Sequence, residues 1–183
     1  RPQPRLALAD LLAKRDRTDE ALATLDDLGK LPGMLSLTQL KRGELLEKQG
    51  RTADALAAYR RAVEAEGRNL AARERLSQAL LDAGKSGEAL KQLAQLIQLA
   101  PNYAPAATLA VKTLIQRGGF EGGLSELKRW IRETGSEALC NAAVEVGAEE
   151  RKLELVVELF EALAQENPDK RLFPVYRARA VSK

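Results

Sequence analysis

The sequence predicts an all-α fold, built as a solenoid of about five stacked helix-turn-helix repeats. Its 183 residues are rich in Ala, Leu, Glu, Arg and Lys, and only 4% are aromatic, which favours helix over strand. Two similar segments begin at Gly50 and Gly84, 34 residues apart, and this spacing is typical of a repeated helix pair. Small and large apolar residues recur at fixed columns of that period, so each repeat is expected to bury the same face.

Rows of 34 residues place the turns and the helices in order. The rows begin at Pro2, Ser36, Leu70 and Ala104. Each row predicts a first helix of about a dozen residues, a turn at column fifteen and a second helix. The turn column, where a left-handed backbone is expected, holds Asp16, Gly50, Gly84 and Gly118.

Small residues occupy the columns where the two helices of a row are expected to touch. The eighth column holds Ala9, Gly43, Ser77 and Val111, and the twentieth holds Ala21, Ala55, Ala89 and Gly123. Small side chains let two helices approach closely, while larger apolar residues fill the space beside the contact. Each row alone therefore leaves an apolar face that stacked neighbours would cover.

A fifth row begins one residue early, at Glu137. Its core columns hold Cys140, Ala143, Val144, Val156, Phe160 and Leu163. Gly147 stands where a large residue belongs, so we expect the first helix of this row to end there. Residues 171–183 begin a sixth repeat or form a capping helix. The prediction is one solenoid over residues 1–183, with repeats at 2–35, 36–69, 70–103, 104–136 and 137–170.

Three irregularities coincide before the fifth row. Trp130 fills a column that otherwise holds smaller residues, Gly135 replaces a closing proline, and one residue is missing before Glu137. We expect this junction to depart from regular packing and to be the weakest interface or a bend. The alternative is that Trp130 fills the space beside small neighbours.

The stretch GKSGEALKQLAQLIQLAPNYAPA, at residues 84–106, resembles the tetratricopeptide repeat (TPR) family. Gly84, Ala89, Leu93, Pro101 and Tyr103 stand where the family has Gly, Ala, a large residue, Pro and an aromatic residue. The resemblance covers roughly 135 residues and is degenerate elsewhere. It implies a right-handed α-α superhelix, a TPR-type solenoid, that binds a protein or peptide in a concave groove lined by the first helices.

The columns that face this groove in the family hold polar and charged residues of mixed sign. They are Asp10, Lys14, Lys41, Glu44, Lys48, Glu74, Arg75, Gln78, Asp82, Lys112, Gln116, Asn141 and Glu145. The family's clamp for a terminal carboxylate is not reproduced, because Leu6 and Asp10 stand where Lys and Asn are needed. We therefore expect a partner other than a chaperone tail.

Composition excludes several kinds of chemistry. The sequence has no histidine, so a Ser-His-Asp triad and His-bound zinc are absent from it. Its one cysteine, Cys140, is predicted to be a buried structural thiol. Ala79–Ser86, ALLDAGKS, matches a relaxed phosphate-loop pattern, but it follows a helix where such a loop needs a strand. We predict no catalytic residue, no metal site and no cofactor.

The preferred function is a non-enzymatic protein-binding scaffold, part of a larger bacterial protein. The formal net charge of +3 is too small to predict a nucleic-acid partner. No apolar run is long enough to predict a membrane-spanning helix. Resemblance extends to scaffolds of bacterial envelope assembly, including exopolysaccharide export. The alternative is a regulatory or targeting domain of an enzyme or polysaccharide-secretion complex whose catalytic or pore domain lies outside this chain. An enzyme would need a catalytic domain outside this chain, or a pair of carboxylates in the groove such as Glu44 and Glu74.

Three properties stay open from the sequence. The compartment is the bacterial cytoplasm or periplasm, with the periplasm preferred. The convex face competes with the groove as the binding surface. Homo-oligomerisation is compatible with the sequence, which neither requires nor excludes it.

Overall fold

The computed structural model describes residues 2–183, and all regular secondary structure in that range is α-helical. The helices are α1 (Pro2–Lys14), α2 (Thr18–Gly29), α3 (Leu35–Lys48), α4 (Thr52–Ala65), α5 (Leu70–Asp82), α6 (Ser86–Leu99), α7 (Ala104–Thr134), α8 (Glu137–Glu149), α9 (Leu153–Glu166) and α10 (Leu172–Val181). The predicted all-α class is confirmed. The chain divides into two compact units, with the boundary between Ala89 and Leu90 inside α6.

Four of the turns share one backbone arrangement. A left-handed residue stands in each, with φ between 56° and 73°, and these residues are Asp16, Gly50, Gly84 and Arg151. The next N–H donates to a carbonyl five residues earlier, as from Arg51 to Leu46 at 3.0 Å and from Lys85 to Leu80 at 2.8 Å. This is the Schellman arrangement, which ends the first helix of each pair. The predicted turn is confirmed at Asp16, Gly50 and Gly84.

The turn predicted at Gly118 is wrong by one residue. The helical run α7 breaks at Gly119, whose φ of 70° and ψ of 175° belong to a region that essentially only glycine occupies. Beyond the break, a Cβ added to Gly123 would lie 2.8 Å from the backbone nitrogen of Ile115. The two halves, residues 104–118 and 120–134, therefore approach closely through a glycine, as a helix pair requires.

The core of the first unit forms between consecutive helices, and α3 also contacts α5. Tyr59 of α4 is fully buried, and its ring lies against Gly43 of α3. Its hydroxyl donates a hydrogen bond to Oε2 of Glu47 at 2.8 Å. The predicted close-contact residue Ala55 is 1% exposed. Small residues in these columns thus make room for one large aromatic side chain.

In the second unit, α8 continues to Glu149, so the expected helix end at Gly147 is wrong. A Cβ on Gly147 would lie 2.6 Å from Cγ2 of Val156, which explains why a small residue stands there. The predicted core residues of this row are all buried: Cys140, Ala143, Val144, Val156, Phe160 and Leu163. The turn between α8 and α9 places a left-handed Arg151 in column fifteen of the row that begins at Glu137.

Hydrogen bonds connect Ser136, at the junction between α7 and α8, to α8 and to Pro101. Gly135 ends α7 in the left-handed conformation, with φ of 62°. Ser136 is buried; its Oγ accepts a hydrogen bond from the N–H of Leu139 at 3.1 Å and donates one to the carbonyl of Pro101. Trp130 is 6% exposed. The expectation that this junction is weak stays a prediction.

Helix α10 packs on α8 and α9. Pro174 lies in its first turn, where a missing N–H costs nothing. The ring of Tyr176 lies 5.7 Å from that of Phe160, measured between centroids. Arg177 Nε donates to Glu161 Oε1 at 2.7 Å.

Candidate functional site

In the first unit, side chains of α1, α3 and α5 meet across the helices. Lys41 Nζ of α3 lies 2.9 Å from Oδ1 of Asp10 on α1. Arg75 Nε of α5 lies 3.6 Å from Oε1 of Glu44 on α3. We call the side chains of α1, α3 and α5 that are not buried the first-helix face; the predicted residues on these helices are Asp10, Lys14, Lys41, Glu44, Lys48, Glu74, Arg75, Gln78 and Asp82.

The charges of the first-helix face are accessible to solvent. None of the nine residues is buried, and the four ion-paired side chains are 29% to 51% exposed. Ion pairs at such exposure contribute at most about 1 kcal/mol to stability. The fold therefore depends little on these pairs.

The remaining predicted residues of this face differ in their surroundings. Gln78 Nε2 donates to Oδ1 of Asp82 at 2.9 Å, and Lys14 and Lys48 are exposed. Glu44, named in the enzymatic reading, is ion-paired with Arg75.

In the second unit, the predicted residues lie on α7 and α8 and extend their contacts to α10. Lys112 Nζ lies 2.9 Å from Oε2 of Glu149. Asn141 Nδ2 donates to the hydroxyl of Tyr176 at 3.0 Å, and Asn141 Oδ1 accepts from Arg179. An open groove of about 410 Å³ lies between the start of α7 and α8; its lining includes Asn102, Thr108, Glu137, Asn141 and Glu145. Gln116, also predicted, is exposed on α7.

Sequence reasoning missed Glu149, Tyr176 and Arg179. Glu149 occupies column thirteen of the row that begins at Glu137, which is a groove column. Tyr176 and Arg179 occupy groove columns six and nine if the next row begins at Arg171. The column pattern therefore indicated all three positions, and the open assignment of residues 171–183 concealed Tyr176 and Arg179.

Burial makes Cys140 a structural thiol, as predicted. Its side chain is fully buried, and burial, with a smaller effect of Glu137, raises the pKa of the thiol to about 12. Over residues 2–183 no group of three or more His, Cys, Asp or Glu side chains is arranged to hold a metal ion. In the phosphate-loop-like stretch, Ala79–Asp82 ends α5 and Gly84 is a left-handed turn residue, so the turn interpretation is confirmed.

None of the helices in the described part of the chain combines the length and apolar character needed to cross a bilayer.

Comparison with known families identifies the repeats. Residues 4–73 match a model of a tetratricopeptide repeat-like domain, and residues 46–109 match a model of the tetratricopeptide repeat. Together the two matches span more than half of the chain. None of the curated protein sequences compared with the chain matches it.

Solved structures share the fold at low sequence identity. A tetratricopeptide repeat protein from Parabacteroides merdae is 14% identical with a TM-score of 0.64, over 98% of this chain and 72% of that one. A thermophilic TPR protein from Thermus thermophilus is 19% identical with a TM-score of 0.54, over the whole of both chains. YrrB, a TPR protein with an unusual peptide-binding site, is 20% identical with a TM-score of 0.57, over 96% and 91%. The predicted TPR-type fold is confirmed.

Proposed function

We propose that this chain, which belongs to the tetratricopeptide repeat family, is a non-enzymatic scaffold that binds an extended segment of a partner protein on its first-helix face. Interaction with other proteins is the general role of the family's fold. The particular surface and the kind of segment are inferred from the side chains that the surface carries.

One observation supports binding on this surface. Exposed residues of opposite sign are paired across helices, as Lys41 with Asp10 and Arg75 with Glu44. The fold needs these pairs little, because exposed ion pairs add little stability. Their geometry suits a polypeptide that lies across α1, α3 and α5 and offers its own charges in register.

A structural neighbour supports a peptide ligand. YrrB has a peptide-binding site, and its chain resembles this one over 96% of the length. We infer that the ligand here is likewise a polypeptide segment, with no nucleic acid and no cofactor involved. A role in bacterial envelope assembly, and in a larger protein, remains a prediction from resemblance.

The proposal is tested by capture from native extract. The wild-type chain and a variant that combines Lys41→Glu, Glu44→Lys, Glu74→Lys and Arg75→Glu are immobilised in parallel, and the bound proteins are identified by mass spectrometry. We expect the variant to keep its circular dichroism spectrum and melting temperature within a few degrees. A partner captured by the wild type is expected to be lost. Equal capture by both proteins would move the binding surface away from α3 and α5.

A further inference from the structure

A pocket of about 280 Å³ lies in the first unit, where α3 ends, α4 begins and α5 ends. Ala55 and Leu56, at most 9% exposed, contribute apolar surface to it. Alanines contribute further lining at Ala53, Ala79 and Ala83. Because an alanine side chain is only a methyl group, these positions leave space that a larger side chain would fill. The pocket adjoins the first-helix face through Asp82, which belongs to both.

Charged groups at the pocket are mainly acidic. Glu47 Oε2 accepts from the hydroxyl of Tyr59 at 2.8 Å, and Asp82 Oδ1 accepts from Gln78 at 2.9 Å. Both donors are neutral, and among the ion pairs of residues 2–183 none includes Glu47 or Asp82. The third charged group, Lys85, lies 4.0 Å from Glu88. An apolar surface is therefore bordered by two carboxylates without a basic partner.

We propose that this pocket anchors an aliphatic side chain of a partner polypeptide whose next residue is Lys or Arg. The aliphatic group would be removed from water against Leu56 and the alanines. The adjacent cation would pair with the carboxylate of Glu47 or Asp82, neither of which is in an ion pair. The inference rests on the proposed function, since it specifies the chemistry of a polypeptide that the first-helix face would bind.

The same charges disfavour a nucleotide. Part of the phosphate-loop-like stretch Ala79–Ser86 lines the pocket, including Lys85. A phosphate group placed there would face the carboxylates of Glu47 and Asp82, whose repulsion opposes binding. ATP therefore serves as a negative probe.

Three hexapeptides with acetylated and amidated ends test the proposal: GSLKSG, GSLESG and GSSKSG. Each is titrated into the ¹⁵N-labelled chain, and the amide resonances of residues 52–56 and 79–85 are followed by NMR. We expect GSLKSG to shift these amides saturably and the other two peptides to bind at least about ten-fold more weakly. ATP is expected to leave them unchanged.

Two leucine substitutions on α4 provide matched variants. Ala53→Leu narrows the pocket, whereas Ala57→Leu makes the same chemical change at an exposed position outside it. We expect the affinity for GSLKSG to fall about ten-fold in Ala53→Leu and to stay within about two-fold of the wild type in Ala57→Leu. Glu47→Gln with Asp82→Asn keeps both acceptor oxygens and removes both charges; GSLKSG and GSLESG should then bind within about two-fold of each other.

The outcomes separate this inference from the proposed function. Equal responses to GSLKSG and GSLESG in the wild type, a response to ATP, or no shift at residues 52–56 and 79–85 would overturn the pocket as an anchor. Peptide shifts confined to α3 and α5 outside the pocket would also overturn it and leave the proposed function standing. Partner capture that survives the four charge reversals while the pocket responds as expected would overturn the proposed function alone.

Discussion

Gly43 of α3 lies directly against the ring of Tyr59 of α4. A Cβ on Gly43 would be 2.9 Å from Cζ of Tyr59 and nearer still to Cδ1 and Cε1. The ring cannot easily shift to accommodate a Cβ on residue 43, because Tyr59 is fully buried and its hydroxyl is hydrogen-bonded to Glu47. The helix pair in the middle of the first unit thus depends on the absence of one methyl group.

Gly43→Ala should therefore destabilise the chain. In a helix, alanine is favoured over glycine by up to about 1 kcal/mol, but overpacking against Tyr59 is expected to cost more, for a net loss of about 1 to 3 kcal/mol. Urea unfolding followed by circular dichroism measures the change. Gly87→Ala is the control, because a Cβ there meets nothing within 4 Å, and it should be neutral or stabilising. Wild-type stability in Gly43→Ala would contradict the packing described.

Arg151→Gly should stabilise the second unit. Arg151 has a φ of 56°, where a side chain is strained and glycine is not. After the larger conformational entropy of glycine in the unfolded chain is subtracted, we expect a gain of about 0.5 to 1 kcal/mol in the free energy of unfolding. The neighbouring Lys152 has a φ of −124°, so Lys152→Gly relieves no strain and should not stabilise. A lower melting temperature for Arg151→Gly would argue against the left-handed turn.

Ser136→Ala should lower the stability of the second unit. The substitution removes the N-cap of α8 and the hydrogen bond to Pro101, and leaves the Pro101 carbonyl with one partner fewer. The combined loss should be about 1 to 3 kcal/mol by chemical unfolding. Ser125→Ala removes a hydrogen bond to the Glu121 carbonyl on an exposed helix surface and should change stability by less than about 0.5 kcal/mol. Equal losses of stability in the two variants would show that the hydrogen bonds of Ser136 stabilise the fold no more than an exposed hydrogen bond does.

Cys140 should react with a thiol reagent only after the second unit opens. Burial raises its pKa to about 12, so the folded state favours the neutral thiol. Below the ordinary thiol pKa both states are neutral; as pH rises from there towards 12, the unfolded state ionises first and stability falls. The labelling rate at pH 8 should follow the unfolded fraction as urea is added. Fast labelling without urea, as expected of an exposed Ser125→Cys in a Cys140→Ala background, would contradict the burial.

The sequence predicted most turns because they depend on local chemistry. The column of Gly50 and Gly84 requires a left-handed residue, and that requirement is visible in the sequence. The break at Gly119 was misplaced because two adjacent glycines, Gly118 and Gly119, satisfy the local rule equally. The choice between them is made by packing, where Gly123 approaches the backbone of Ile115.

Gly147 was misread for a related reason. A glycine near a helix end predicts termination, but here it accommodates Val156 from the next helix, and α8 continues past it. The candidate surface was predictable as columns of polar residues. Its ion pairs, such as Lys41 with Asp10, join residues from different repeats and could not be assigned before the helices were placed.

The most direct test of partner binding on the first-helix face is the affinity of two charge-swap variants for the captured partner, measured by calorimetry. Glu44→Arg with Arg75→Glu keeps the internal pair but reverses the charges presented on that face. Arg60→Glu with Glu88→Arg does the same for a 2.7 Å pair between the second helices α4 and α6. We expect the first swap to weaken binding at least about ten-fold and the second to change it less than about two-fold. Unchanged affinity in the first swap, or a greater loss in the second, would contradict the proposed binding surface.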